Sequence, residues 1–170
     1  MKKVFALVFV TLLLLTSCAD NRTADEIFSD VKKMVKEKEY EKAVDDLKLI
    51  PKRFPEDSLV VESIYKIAEI NMQNMHDFEK AAQNYSKLAD NYPSSEYATK
   101  SRFMAGFLFA NKIKDLEKAK EEYSKFLQEY PSHELIQSVE FELRNLGVPV
   151  EKIDELKDIV GKKDSVEVKK

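Results

Sequence analysis

Cys18 is the only cysteine in the chain, and its surroundings suit covalent modification of its sulfur. It follows Leu15 and two small residues, Thr16 and Ser17, at the end of an apolar stretch that begins at Val4. Small side chains leave the preceding peptide bond accessible to a peptidase, and a thiol can be alkylated to a thioether. Because a single cysteine cannot form an intrachain disulfide, the sulfur is free for this chemistry.

The other side-chain types that catalyse reactions are arranged in ways that do not suit an active site. The two histidines, His76 and His133, belong to neither a His-Glu-x-x-His metal motif nor a nucleophile triad. Adjacent carboxylates such as Asp45-Asp46 fall on charged faces of predicted helices, which is typical of solvated surface. We therefore predict a protein that is not an enzyme and takes no metal, cofactor or small-molecule substrate.

The apolar start of the chain predicts export. Lys2 and Lys3 precede the run 4–15, which suits a signal peptide and is shorter than the roughly 20 residues that a membrane-spanning helix needs. The sequence predicts a signal peptide at 1–17, a modified cysteine and short linker at 18–22, a helical domain at 23–160 and a flexible charged tail at 161–170.

The charge of the chain argues against nucleic-acid binding. The formal net charge of −3 becomes −5 once Lys2 and Lys3 are removed with the signal peptide. Non-specific nucleic-acid binding needs a basic surface, which this acidic excess does not provide. Three glycines and five prolines among 170 residues, of which 35% are charged, indicate long helices joined by short turns.

Three segments of the chain align without gaps at a step of 38 residues. Tyr40-Glu41-Lys42-Ala43 recurs as Phe78-Glu79-Lys80-Ala81 and again as Leu116-Glu117-Lys118-Ala119. An aromatic residue and a proline close each segment, at 54–55, 92–93 and 130–131. Each segment contains two stretches of helical periodicity, so the sequence predicts an all-α solenoid of antiparallel helix pairs.

Polar residues predict where several helices begin. Thr23 and Glu26 have the spacing of a capping box, and the carboxylates of Asp77 and Asp115 can accept the first free backbone N–H groups of the helices that follow them. After the third repeat, one helix at about 134–146 and a shorter one ending near residue 160 predict a C-terminal capping hairpin that covers the last apolar surface.

The helix predicted at about 96–111 is apolar on every side over residues 103–110. This pattern indicates a middle helix that packs on both neighbours. Gly106 lies within the run, where glycine costs roughly 1 kcal/mol relative to alanine. A close approach of the partner helix around Ala119 would explain it.

The repeat resembles the tetratricopeptide repeat. A small residue, Ala68 or Gly106, is followed after thirteen residues by an alanine, after four more by an aromatic residue and after eight more by a proline. The usual repeat has about 34 residues, so these units are longer. Long units that end in aromatic-Pro are similar to those of the BamD-type lipoproteins, which belong to the outer-membrane β-barrel assembly machinery. The resemblance covers about residues 24–146.

The segment Leu15-Thr16-Ser17-Cys18 resembles the bacterial lipobox. In proteins with this motif the signal is cut before the cysteine, whose thiol receives a diacylglycerol. The resemblance implies a lipid anchor on Cys18, which would bind the membrane with about 0.8 kcal/mol per buried CH₂ group. Ala19, in place of an aspartate, favours an outer-membrane lipoprotein that faces the periplasm. In a bacterium with one membrane, the same signal implies the outer face of the cytoplasmic membrane.

Together the two resemblances imply a lipid-anchored scaffold that binds other envelope proteins or their peptide segments, with a BamD-like role in outer-membrane protein assembly. BamD-type proteins have more repeats than the three and a cap predicted here. The alternative is a coordinator of Tol-Pal, cell-wall or polysaccharide-export machinery with the same fold. The tetratricopeptide protein of the Tol-Pal system is typically not lipidated, which favours the first interpretation.

The tetratricopeptide resemblance also places a candidate binding groove. In such repeats the first helix of each pair lines the concave side, where exposed aromatic and methionine side chains suit an extended or helical peptide. The alternative role for each such residue is packing between helices. The residues that the pattern assigns to the groove are Ile27, Val31, Tyr65, Glu69, Met72, Phe103, Phe107 and Phe141.

Overall fold

The computed structural model of the chain describes residues 20–149 together with Lys152 and Ile153. The predicted signal peptide, Cys18, the charged tail and most of the second helix of the capping hairpin lie outside the described residues. All regular structure in the described part of the chain is helical. The prediction of an all-α, tetratricopeptide-like solenoid is confirmed.

Helices follow one another along the described chain and pair in antiparallel fashion. The first pair consists of α1 with α2 and α3, the second of α4 with α5, and the third of α6 with α7, while α8 begins a fourth unit. None of these helices is both long enough and apolar enough to cross a bilayer. The helices are α1 (Ala24–Lys36), α2 (Tyr40–Leu47), α3 (Leu49–Arg53), α4 (Leu59–Gln73), α5 (Phe78–Asn91), α6 (Ala98–Leu108) with a π-helical turn at Phe109–Ile113, α7 (Leu116–Glu129) and α8 (Ile136–Arg144).

Side chains cap three helices at the residues that the sequence predicts. The Thr23 hydroxyl accepts the backbone N–H of Glu26 at 3.2 Å, and the Glu26 carboxylate accepts the N–H of Thr23 at 2.8 Å. Asp77 and Asp115 each accept the N–H of the third residue of the next helix, at 3.0 and 3.1 Å. These bonds satisfy donors that a helix start otherwise leaves unpaired.

The second helix of the first pair is interrupted at Lys48. Pro51 explains the interruption, because it has no N–H to donate to the carbonyl of Leu47 and its ring crowds that carbonyl. As a result α2 ends at Leu47 and α3 forms a separate short helix.

The apolar core consists of two clusters that meet at α4. Val60, Ile67 and Ile70 pack into the cluster of the first helix pair, whereas Tyr65 and Ala68 pack into the cluster shared by α5, α6, α7 and α8. Because α4 is buried on two sides, it joins the first helix pair to the rest of the solenoid.

Gly106 allows α6 to approach α7 closely, as the sequence predicts, but the residue that it meets is Tyr123 rather than Ala119. A methyl group added at position 106 would lie 2.6 Å from Cε1 and 2.7 Å from Cδ1 of the Tyr123 ring. Tyr123 is fully buried, so its ring has no free space to move into.

We expect Gly106→Ala to destabilise the protein, because overpacking a core costs about 1–3 kcal/mol while the helix propensity of alanine returns only about 1 kcal/mol. Urea unfolding followed by circular dichroism measures the free energy of unfolding. In a Tyr123→Leu background the same change should be neutral or stabilising. An equal loss in both backgrounds would contradict the proposed contact.

Candidate partner-binding groove

Equivalent positions of successive first helices become more exposed along the solenoid. Positions 27, 65, 103 and 141 lie one 38-residue repeat apart. Ile27 is 0% exposed and Tyr65 is 6% exposed, whereas Phe103 and Phe141 are half-buried. Of these four positions, only those on α6 and α8 leave an aromatic side chain partly accessible to a partner.

The assignment of Ile27 and Val31 to the groove is wrong. Val31 is 1% exposed, and both side chains belong to the apolar cluster of the first helix pair. The apolar face of α1 packs against α2 and α4 and covers the core at this end of the solenoid. The first helix of the solenoid thus offers neither predicted side chain to a partner.

Tyr65 is also buried, and its assignment as an exposed contact is wrong. Its ring centroid lies 4.8 Å from that of Tyr97 and 5.6 Å from that of Tyr85. The ammonium of the exposed Lys100 lies 5.2 Å from the same ring, and the neighbouring Tyr65 hydroxyl raises the pKa of that ammonium. Tyr65 therefore packs under the ammonium of Lys100 and is not itself accessible to a partner.

Glu69 and Met72 stay half-buried on α4. The Glu69 carboxylate accepts a hydrogen bond from the Lys66 ammonium at 2.9 Å, so its charge is partly balanced. Met72 packs on the same core cluster as Phe103. Both residues remain candidates for the groove.

Phe103 and Phe107 form an aromatic pair on α6. Their ring centroids are 6.5 Å apart with an angle of 27° between the planes. Phe103 also lies 6.2 Å from the buried ring of Tyr123, whose pKa is raised by burial and then by the charge of Glu142. Tyr123 is therefore neutral at physiological pH, and Phe103 lies beside an uncharged ring.

Phe141 lies in a different environment from this aromatic pair. It lines a cavity of about 450 Å³ between the end of α6, the start of α7 and the end of α8. Ala110, Leu116 and Leu146 line the same cavity. The structure thus brings Phe103 and Phe107 together and gives Phe141 neighbours of its own.

Arg102 is a residue of α6 whose importance the sequence does not reveal. It is 1% exposed, and its Nη1 lies 3.0 Å from Glu122 and 2.7 Å from Asp90, while Nη2 lies 3.0 Å from Glu129. Burial opposes its charge, but the carboxylates of Glu122 and Asp90 outweigh burial and raise the pKa of the guanidinium. Glu122 also accepts a hydrogen bond from the Ser86 hydroxyl at 2.8 Å.

This network ties α6 to both of its neighbours, since Asp90 belongs to α5 and the two glutamates to α7. The only hint in the sequence is an arginine placed directly before the apolar run 103–110. In the described ranges, no group of three or more His, Cys, Asp or Glu side chains could hold a metal ion.

A family model described as YfiO, outer membrane lipoprotein, matches residues 58–165. The match covers more than half of the chain and contains α4 to α8, including every groove position that remains half-buried. No curated protein matches the chain.

We expect Arg102→Met to lower the free energy of unfolding by about 3–5 kcal/mol, because Glu122 would remain buried without a cation. Chemical denaturation measures this loss. Arg144→Met is a matched control on α8, where the side chain is exposed, and we expect it to change stability by less than about 0.5 kcal/mol. Similar stabilities for the two variants would contradict the role of Arg102.

Proposed function

Because this chain belongs to the YfiO family of outer membrane lipoproteins, we propose that it is a lipid-anchored, non-catalytic scaffold that binds segments of other envelope proteins. Its more specific role in this proposal is BamD-like, in the assembly of outer-membrane proteins. The family match supports the envelope location, and the helical-repeat fold supports a role in protein binding.

The half-buried pair Phe103 and Phe107 is the observation that carries this proposal. Aromatic rings left accessible on a helix are suited to bury against a partner, and aromatic residues dominate binding energy at protein interfaces. Both residues lie inside the segment that matches the family. The pair is therefore the best candidate in the described chain for the centre of a protein-binding surface.

Charges of both signs lie on α4 and α6, which are two of the three helices that carry half-buried groove residues. Lys100 is exposed on α6, one turn before Phe103, and Glu69 is half-buried on α4. An apolar centre with a polar rim is the usual anatomy of a protein interface. Such a surface suits an extended or helical peptide better than a small molecule.

The amino-terminal part of the proposal concerns the anchor. Residues 1–17 act as a signal peptide, Cys18 carries the lipid, and 18–22 link it to the solenoid at 23–160, with a charged tail at 161–170. Support comes from the lipobox-like sequence before Cys18 and from the family description. In this arrangement the solenoid faces the periplasm from the inner surface of the outer membrane.

We expect Cys18→Ser to abolish lipidation, since a hydroxyl cannot form the thioether that holds the diacylglycerol. Growth of the expressing bacterium with radioactive palmitate, followed by purification of the protein, measures the modification. The wild-type protein should be labelled and should fractionate with membranes. Label on the serine variant, or none on the wild-type protein, would exclude Cys18 as the anchor.

A photoreactive phenylalanine analogue in place of Phe107 should capture a partner in intact cell envelopes. Phe107 is a better site than Phe103 because Phe103 packs on the core cluster, so its replacement would also disturb folding. The matched control carries the analogue at Gln83, an exposed residue of α5, the second helix of its pair. Mass spectrometry identifies the proteins joined to each site.

Capture of a barrel-assembly subunit or an unfolded barrel protein at position 107, and not at 83, would support the BamD-like role. Capture of Tol-Pal, cell-wall or polysaccharide-export components would support a scaffold function but contradict the BamD-like role. The protein would then be a coordinator of that other machinery, which the repeat fold also allows. Equal products at both sites, or none at 107, would contradict the groove.

A further inference from the structure

The segment that links Cys18 to the solenoid is held by a cluster of arginines and carboxylates. The guanidinium of Arg22 lies 2.8 Å from Asp20, 2.9 Å from Asp30 on α1 and 2.6 Å from Asp46 on α2. Hydrogen bonds to Asp20, and then to Asp46 and Asp30, raise the pKa of this guanidinium. One side chain thus joins the linker to two helices.

A second arginine holds the backbone of the same segment. Nη2 of Arg53, at the end of α3, donates hydrogen bonds to the carbonyl oxygens of Asp20 at 2.6 Å and Arg22 at 3.0 Å. Its Nη1 lies 3.1 Å from the Asp20 carboxylate. The contacts of Arg22 and Arg53 with residues 20–22, α1, α2 and α3 are called the arginine clasp below.

The arginine clasp leaves little free chain between the fold and the anchor. Ala19 is the only residue between Cys18 and Asp20, and two residues extend at most about 7 Å. A free linker would let the solenoid take any orientation above a membrane. A linker held from Asp20 onwards ties the orientation of the solenoid to the position of the lipid.

We propose that the arginine clasp positions the protein on the membrane so that one end of the first helix pair docks on the phospholipid headgroups. This is the end at which α1 starts and α3 finishes. This inference rests on the proposed lipidation of Cys18. The exposed charges at this end include both Lys52 and Glu56, so docking follows from the position of the anchor and does not need anionic lipid. The opposite end of the pair, at Lys36, points away from the bilayer.

The two ends of the first helix pair allow a direct measurement. Because α1 has 13 residues that rise 1.5 Å each, Lys36 and Lys52 lie near opposite ends of a unit about 20 Å long. In the full lipidated protein, each is replaced in turn by a cysteine that carries a fluorescent donor. Energy transfer is then measured to acceptor-labelled headgroups in vesicles of phosphatidylethanolamine and phosphatidylglycerol.

We expect energy transfer from position 52 to exceed that from position 36 by about twofold or more, since transfer falls steeply over a separation of about 20 Å. Arg22→Gln should reduce the ratio of the two efficiencies towards one, because a single amide cannot join three carboxylates. Arg144→Gln, the matched control on α8, should leave the ratio unchanged. Circular dichroism establishes that each variant keeps its helices.

A flexible Gly-Ser insertion between Ala19 and Asp20 provides a second variant that keeps both arginines and the fold. It should also bring the ratio towards one, because it separates the anchor from the clasp. Equal transfer from the two positions in the wild-type protein, or an unchanged ratio in both the Arg22 variant and the insertion variant, would overturn the inference. Absence of palmitate and of vesicle binding would instead overturn the proposed lipid anchor on which it rests.

Discussion

Arg102 carries a permanent positive charge into a part of the solenoid whose other side chains are mostly apolar. Its partners Asp90, Glu122 and Glu129 come from the helices on either side, so one guanidinium fixes the spacing of α5, α6 and α7. A buried cation is tolerated only when its partners are in place, and removal of Arg102 would leave the buried carboxylate of Glu122 uncompensated. The aromatic face of α6 therefore depends on an ionic network on the inner side of the same helix.

One position of the repeat supplies one of the three carboxylates in each arginine network. Asp46 and Glu122 lie two repeats apart, and each accepts a hydrogen bond from an arginine, Arg22 in the first case and Arg102 in the second. The middle unit has Asn84 at this position, and its amide bonds within its own helix. The helix pair is therefore the same in each unit, whereas the residue that binds this position differs. In the first unit the position binds Arg22 of the linker, and in the third unit it binds Arg102 of the groove helix α6.

Much of the fold follows from the sequence because it depends on neighbouring residues or on a fixed repeat step, as the caps at Asp77 and Asp115 and the close approach at Gly106 illustrate. The exposure of the groove residues does not follow from the sequence, since Ile27 occupies the same repeat position as Phe103 and yet is buried in the core at the end of the solenoid. The Arg102 network joins residues 20 and 27 apart in sequence, and no local pattern marks such partners.

The turn inside each helix pair shows how local chemistry fixes the orientation of the groove helices. Lys38, His76 and Lys114 lie one repeat apart, and all three adopt a left-handed backbone, with φ of 63°, 55° and 66°. This conformation costs a non-glycine residue roughly 1–2 kcal/mol, so its surroundings must enforce it. The N–H groups of Asp77 and Asp115 bond back to carbonyls of the preceding helix at 2.8 and 2.9 Å, while their carboxylates cap the next helix. The second and third pairs therefore share the same turn, in which one aspartate binds the helix before it through its N–H and caps the helix after it through its carboxylate.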